Sequence, residues 1–216
     1  MVKNSQGLEK IWSQVPPDYY EKGITSNLLQ KYWHTQKFKI FKKIVKNRQF
    51  VEICDAGCAG GHMTQLISQL FPNSKVAGLD IYNAAINHAK KQYPHIKFQQ
   101  CDLHRIPIKD RQFDLVVCYE TIEHVINPHI VIRELQRISK DDATVIIAMD
   151  SGNLLCKLGW WIWERTTGKV WKNAHLHPFE HRQLEIMIKE EGFIIDKKIF
   201  SHFGLEVTFV LKKSLV

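Results

Sequence analysis

The sequence predicts an α/β fold, a largely parallel sheet with helices on both faces. Three observations carry this. Apolar runs of strand length alternate with helical periods of roughly 10–15 residues. A glycine-rich turn joins the first such run to the first such helix. Two further runs flank a turn around Gly204 that is too short for a crossover, so they pair antiparallel.

The elements follow in order. Residues 49–56 read as an apolar strand running into the glycine turn, and residues 61–71 have helical spacing. Pro72 and Asn73 break that helix before a second strand at 74–80. A second helix over 81–93 stops at Pro94, and strands follow at 96–102 and 113–120. Residues 127–139 form a helix with Asn127 as its cap and Pro128 in its first turn. A fifth strand spans 143–150, a last helix spans 179–192 and ends at Gly192, and two strands occupy 193–200 and 205–213.

Two segments lie outside this rhythm. Lys31 to Arg48 contains seven basic residues and no acidic one, with Trp33, Ile40, Phe41, Ile44 and Val45 spaced as on an amphipathic helix. A helix packed on the domain with a solvated lysine face is expected; a phosphate, nucleic-acid or anionic-membrane surface is the alternative. Residues 151–178 hold four of the six tryptophans. An insert beyond the carboxyl end of a strand covers the ligand crevice of an open α/β sheet. It is therefore expected to be a lid or substrate-recognition element, with plain aromatic packing or a membrane-interface contact as alternatives. The organisation expected is a single domain over 1–216: a helical cap (1–47), a core (48–150), the aromatic insert (151–178) and a terminal helix with two strands (179–216).

Composition narrows the class. Of 216 residues, 44% are hydrophobic and 24% charged, enough to bury a core and exclude wholesale disorder. No apolar run reaches the ~18 residues of a membrane span. No continuous apolar secretory stretch opens the sequence, so a cytoplasmic location is expected, with peripheral membrane contact as an option. The five cysteines include no C-x-x-C pair; reduced thiols are expected, not a zinc site or a disulfide framework.

The turn after the first strand carries chemistry. Asp55 precedes Gly57, Ala59, Gly60 and Gly61, small residues that let a ligand approach the backbone beside a helix N-terminus. The spacing is not G-x-G-x-x-G, which disfavours a dinucleotide dehydrogenase. Asp80 ends the second strand, where a carboxylate can accept from both hydroxyls of a ribose. Asp102 and Leu103 end the third strand, placed to meet an adenine amino group and ring; Tyr119 and Glu120 end the fourth.

This ordered set, Asp-Ala-Gly-Cys-Ala-Gly-Gly, Gly-Leu-Asp, Cys-Asp-Leu and then residues 113–124, resembles the class I S-adenosylmethionine-dependent methyltransferases over residues 48–150. It departs from their usual Asp-x-Gly-Cys-Gly-x-Gly at Ala59, a small change that should leave binding intact. The resemblance implies a Rossmann-like sheet of seven strands with an antiparallel last strand, and S-adenosylmethionine as cofactor. Gly57 and Gly61, with Cys58 and Ala59, would line its methionine part. Asp55 would lie near its amino group, Asp80 and Ile81 at the ribose, Asp102 and Leu103 at the adenine, and Tyr119 against the sugar. The N-terminal helices would close over it.

Two acid–histidine groups could serve the transfer, Glu120-x-x-Glu123-His124 and His175-x-His177 with Glu180 and His181. A general base is one role, with His124, His177 and Glu120 as candidates. The other is a divalent ion, magnesium or manganese, on Glu120, Glu123, His124 and His177. That set is similar to those of the small-RNA 2′-O-methyltransferases and the ubiquinone-biosynthesis O-methyltransferases. His62, His88, His95, His104, His129 and His202 are expected to be packing or surface residues. The expected function is methyl transfer to a hydroxyl or amine of a small-molecule, glycan or lipid-linked acceptor. The alternatives are metal-assisted methylation of an RNA 2′-hydroxyl and a non-catalytic cofactor-binding partner protein.

Overall fold

The computed structural model describes residues 12–165, 176 and 180–214. The seven strands are β1 (Glu52–Ala56), β2 (Lys75–Asp80), β3 (Lys97–Gln100), β4 (Phe113–Tyr119), β5 (Ser139–Asp150), β6 (Phe193–Ser201) and β7 (Glu206–Lys213). The helices are α1 (Tyr19–Ser26), α2 (Leu28–Ile44), α3 (His62–Leu70), α4 (Asn83–Gln92), α5 (Pro128–Ile138), α6 (Leu154–Arg165) and α7 (His181–Glu190). One sheet forms in the order β3-β2-β1-β4-β5-β7-β6. β1 to β5 pair in parallel, while β7 lies antiparallel between β5 and β6.

Alternation along each strand sends successive side chains to opposite faces. Cys54, Val116, Cys118, Val145, Ile147 and Phe209 face one way, against Val131, Leu135 and Ile138 of α5 and Leu184 and Ile188 of α7. Ile53, Leu115, Val117, Ile146 and Val210 face the other, against Phe41 and Ile44 of α2 and Ile67 of α3. Both faces are covered, which is why these strands read as continuous apolar runs.

Helix starts follow local chemistry. Asn27 caps α2 by accepting from the Leu29 and Gln30 amides, and Asn127 accepts from Ile130 with Pro128 opening α5. β5 begins at Ser139, four residues before its expected start. The polar Lys140–Asp142 stretch lies in a register shift, where Phe113 pairs with Ser139 but Leu115 with Thr144. All five cysteines are buried and free. No described helix is long and apolar enough to cross a membrane.

Candidate active site

The glycine turn is built by the backbone. Gly57 and Cys58 both donate to the Leu79 carbonyl, at 2.7 and 3.0 Å, and Gly61 donates to Cys58. Gly57 (φ +85°) and Gly61 (φ +84°) lie in the left-handed region. A Cβ on Gly57 would collide with Thr121, and one on Gly61 would meet the Phe98 ring at 2.8 Å. Ala59 also has a positive φ, of 46°. It is held there by a 2.8 Å bond from its amide to Asp80 Oδ2. Asp80 Oδ1 accepts from the Tyr82 amide at 2.8 Å, so this carboxylate ties the turn to the end of β2. One lone pair on each oxygen is left for a ligand.

A cavity opens at the carboxyl ends of β1, β2 and β4. It is lined by Asp55, Gly57, Cys58, Ala59, Asp80, Ile81, Asp102, Leu103, Tyr119, Glu120 and His124. Of the expected cofactor residues, Gly61 alone lies off this lining, capping α3 behind the turn. Asp55 is 2% exposed and accepts from the Thr64 hydroxyl at 2.6 Å. Burial pushes its carboxyl up to about 7. Asp102 accepts from the His104 amide and from its ring Nδ1, 2.6 Å away. Because His104 Nε2 accepts from the Asn127 amide, the ring proton sits on Nδ1. His104, expected as a packing residue, thus orients Asp102.

The opposite wall comes from the segment before α1 and from α1 and α2. Trp12, Val15, Pro17, Tyr20, His34 and Lys37 line it. Lys37 is 5% exposed, 2.5 Å from Glu120 Oε2 and 3.9 Å from Glu206. Burial alone would lower its pKa, but Glu120 and Glu206 hold it raised. Burial opposes ionisation of Glu120, and the Lys37 ammonium overrides it, bringing the carboxyl down to about 2. Glu120 Oε1 accepts from the Trp33 indole at 2.7 Å. Both oxygens of Glu120 are therefore engaged by α2. His34, edge-on to Tyr20, is brought down to about 3 by burial and then by Lys37. Lys37 left a signal in the sequence: it is in phase with Trp33, Phe41 and Ile44 on the apolar stripe.

Of the candidate metal set, Glu120 and His124 line the cavity. Glu123 is 3% exposed and lies off the cavity lining, with Oε2 lacking a described hydrogen-bond partner. Burial, reinforced by the Asp150 charge, raises its pKa well above the usual range. Among the described residues no three His, Cys, Asp or Glu side chains converge as ligands would. His177 and His175 lie outside the described residues. His181 packs edge-on against Phe200, away from the cavity lining. His124 meets the Trp12 ring edge-on at 5.0 Å. His202, expected at the surface or in packing, is buried and bonds the Trp33 carbonyl through Nε2 at 2.9 Å.

The donor set suits an adenosyl sulfonium compound. Carboxylates at three strand ends can meet an ammonium, a ribose and an adenine amino group, and Leu103, Ile81 and Val125 add apolar lining. Residues 54–147 match the methyltransferase domain family. Over those residues the chain carries a methyltransferase domain. The chain is 26% identical over 156 residues to a ubiquinone biosynthesis O-methyltransferase of Glaesserella parasuis, covering 68% of this chain and 62% of that protein. It is 29% identical over 161 residues to a demethylmenaquinone methyltransferase of Lactobacillus johnsonii, covering 69% and 64%. The chain spans about three fifths of the length of the curated relatives it matches. Magnesium protoporphyrin IX methyltransferase of Synechocystis, solved with bound SAH, shares the fold at a TM-score of 0.73 and 17% identity, covering 98% and 100% of the two chains. The [4+2]-cyclase SpnF superposes at 0.80 with 11% identity, covering 100% and 98%. A methyltransferase and a cyclase on one scaffold show that the fold does not by itself fix the reaction.

Proposed function

We propose that this methyltransferase domain moves the methyl group of S-adenosylmethionine to an oxygen or nitrogen of a small-molecule, glycan or lipid-linked acceptor. The supporting observation is one cavity that gathers the glycine turn, Asp55, Asp80, Asp102 and His124. When bound, the sulfonium supplies an electrophilic methyl and a neutral thioether leaving group. Asp80 accepts from the ribose hydroxyls while its bonds to Ala59 and Tyr82 fix the turn. Asp102, oriented by His104, meets the adenine amino group. The acceptor displaces the thioether in line and gives up its proton.

His124 is the base in this scheme. Glu120 and His34 hold protons too weakly, at about 2 and about 3, to take one near neutral pH. Glu120 instead positions α2 through Trp33 and Lys37. The aromatic insert from residue 151 contributes acceptor recognition, since Trp160 packs on the Val15 cluster at the cavity wall. RNA as acceptor is the second reading, favoured by the exposed Lys39, Lys42, Lys43 and Lys46; it requires binding that weakens steeply with salt.

Calorimetry with S-adenosylhomocysteine tests the cofactor half. Asp80→Ala should weaken binding by about 1–3 kcal/mol, since the turn amide also loses its acceptor. Affinity equal to wild type rejects the assignment. Radiolabelled methyl transfer across a panel of metabolites, glycans, lipids and RNA tests the acceptor half. Binding without transfer to any of them would favour the non-catalytic partner.

A further inference from the structure

Helix α6 has an unusual distribution of apolar side chains. Cys156, Trp160 and Trp163, spaced by four and three residues, face the body of the domain. The opposite side carries Leu154, Leu155, Leu158 and Trp161, from 53% to 82% exposed. A helix apolar on nearly all sides is stable when both sides are covered. Asn153 starts this helix by accepting from the Cys156 amide, and its side chain donates to the Gly204 carbonyl at 2.8 Å. That bond sets α6 beside the turn at 202–204.

The turn continues the surface. Phe203 is 89% exposed and held at a φ of +57°, a left-handed backbone that aromatic residues rarely adopt. His202 points inward onto the Trp33 carbonyl, while the Phe203 ring stacks on Tyr32 of α2. Leu28 and Leu29, 84% and 71% exposed, extend the patch along the first turn of α2. Along that helix, exposed residues succeed Tyr32 at three- and four-residue steps, Thr35, Lys39 and Lys42. Arg165 closes the other end, with its guanidinium 4.0 Å over the Trp161 ring.

We propose that this face, α6 with the Phe203 turn and the start of α2, seats the protein on an anionic lipid bilayer. Charge decides between a bilayer and a second copy. The chain carries a formal +8, and the segment from Lys31 to Arg48 has no acid. Two such faces repel each other, whereas phosphate headgroups attract both basic margins. The described residues of α6, Leu154–Arg165, face the domain body on one side and carry leucines on the other, so the helix lies in the interface plane with its leucines down. The surface does not depend on the methyl-transfer scheme.

Vesicle co-sedimentation of the full chain tests it. The protein should pellet with phosphatidylcholine vesicles holding roughly one-third phosphatidylglycerol, less with phosphatidylcholine alone, and less again at high salt. Leu155→Glu with Leu158→Glu should lower the partition by roughly tenfold or more, with circular dichroism and S-adenosylhomocysteine affinity unchanged. Lys39→Glu with Lys42→Glu, which leaves every apolar contact in place, should lower binding to the anionic vesicles alone. Failure to pellet with either vesicle overturns the proposal. So does binding indifferent to both pairs of changes, or a dimer in sedimentation equilibrium that the leucine changes dissociate. A retained S-adenosylhomocysteine affinity in those cases leaves the cofactor assignment standing.

Discussion

Asp55 is a carboxylate that the ligand-free fold does not favour ionised. Thr64 donates to it, but burial dominates and sets its pKa at about 7. An ammonium group entering the cavity would favour the ionised form. The sign follows from linkage: the free pKa lies near 7 and falls in the complex, so binding releases a proton below that value. Affinity for S-adenosylhomocysteine should therefore rise as pH climbs towards about 7 and level off above it. Calorimetry near pH ~6 in two buffers of different ionisation enthalpy should register the released proton. Asp55→Asn should remove both effects, and a wild-type affinity flat with pH would refute the linkage. The place of Asp55 at the cavity was legible in the sequence, because an acid between an apolar strand and a glycine turn lies at the carboxyl edge of the sheet. Its protonation was not, since that depends on burial from several elements at once.

The helix α2 shows how an element is held from a distance. Three contacts fix it to the strand ends: Trp33 to Glu120, Lys37 between Glu120 and Glu206, and the Trp33 carbonyl to His202. Removing one partner of a buried ion pair strands the other charge. Lys37→Met should thus destabilise the protein by about 3–5 kcal/mol in urea unfolding, and Lys37→Met with Glu120→Gln should recover part of that loss. An unchanged unfolding midpoint for the single variant would remove Lys37 from this role. The helix was visible from its apolar spacing, and most of its lysines are exposed as expected. Its tie to Glu120 was not visible, because a pairing across 83 positions between Lys37 and Glu120 leaves no local periodicity. The strands were read nearly to their ends, since burial on both faces writes itself as an uninterrupted apolar run. The start of β5 was missed because its first four residues, Ser139–Asp142, carry no such run.

Over the whole molecule, β7 joins parts that are remote in sequence. It pairs with β5 on one side and β6 on the other, and Phe209 is buried in the larger of the two cores. Phe209→Ala should cost about 3–5 kcal/mol, because a cavity in the middle of a sheet cannot collapse from either side. A loss below about 1 kcal/mol in denaturant titration would mean that the core relaxes around the site. The order of strands has a consequence for synthesis. β7 is the last of the seven to leave the ribosome, yet it fills a gap between two earlier strands and brings Glu206 to Lys37. Until it emerges, β5 presents an open edge and the nascent α2 lacks one of its two anionic partners. A stalled chain released before residue 206 should therefore depend on chaperones.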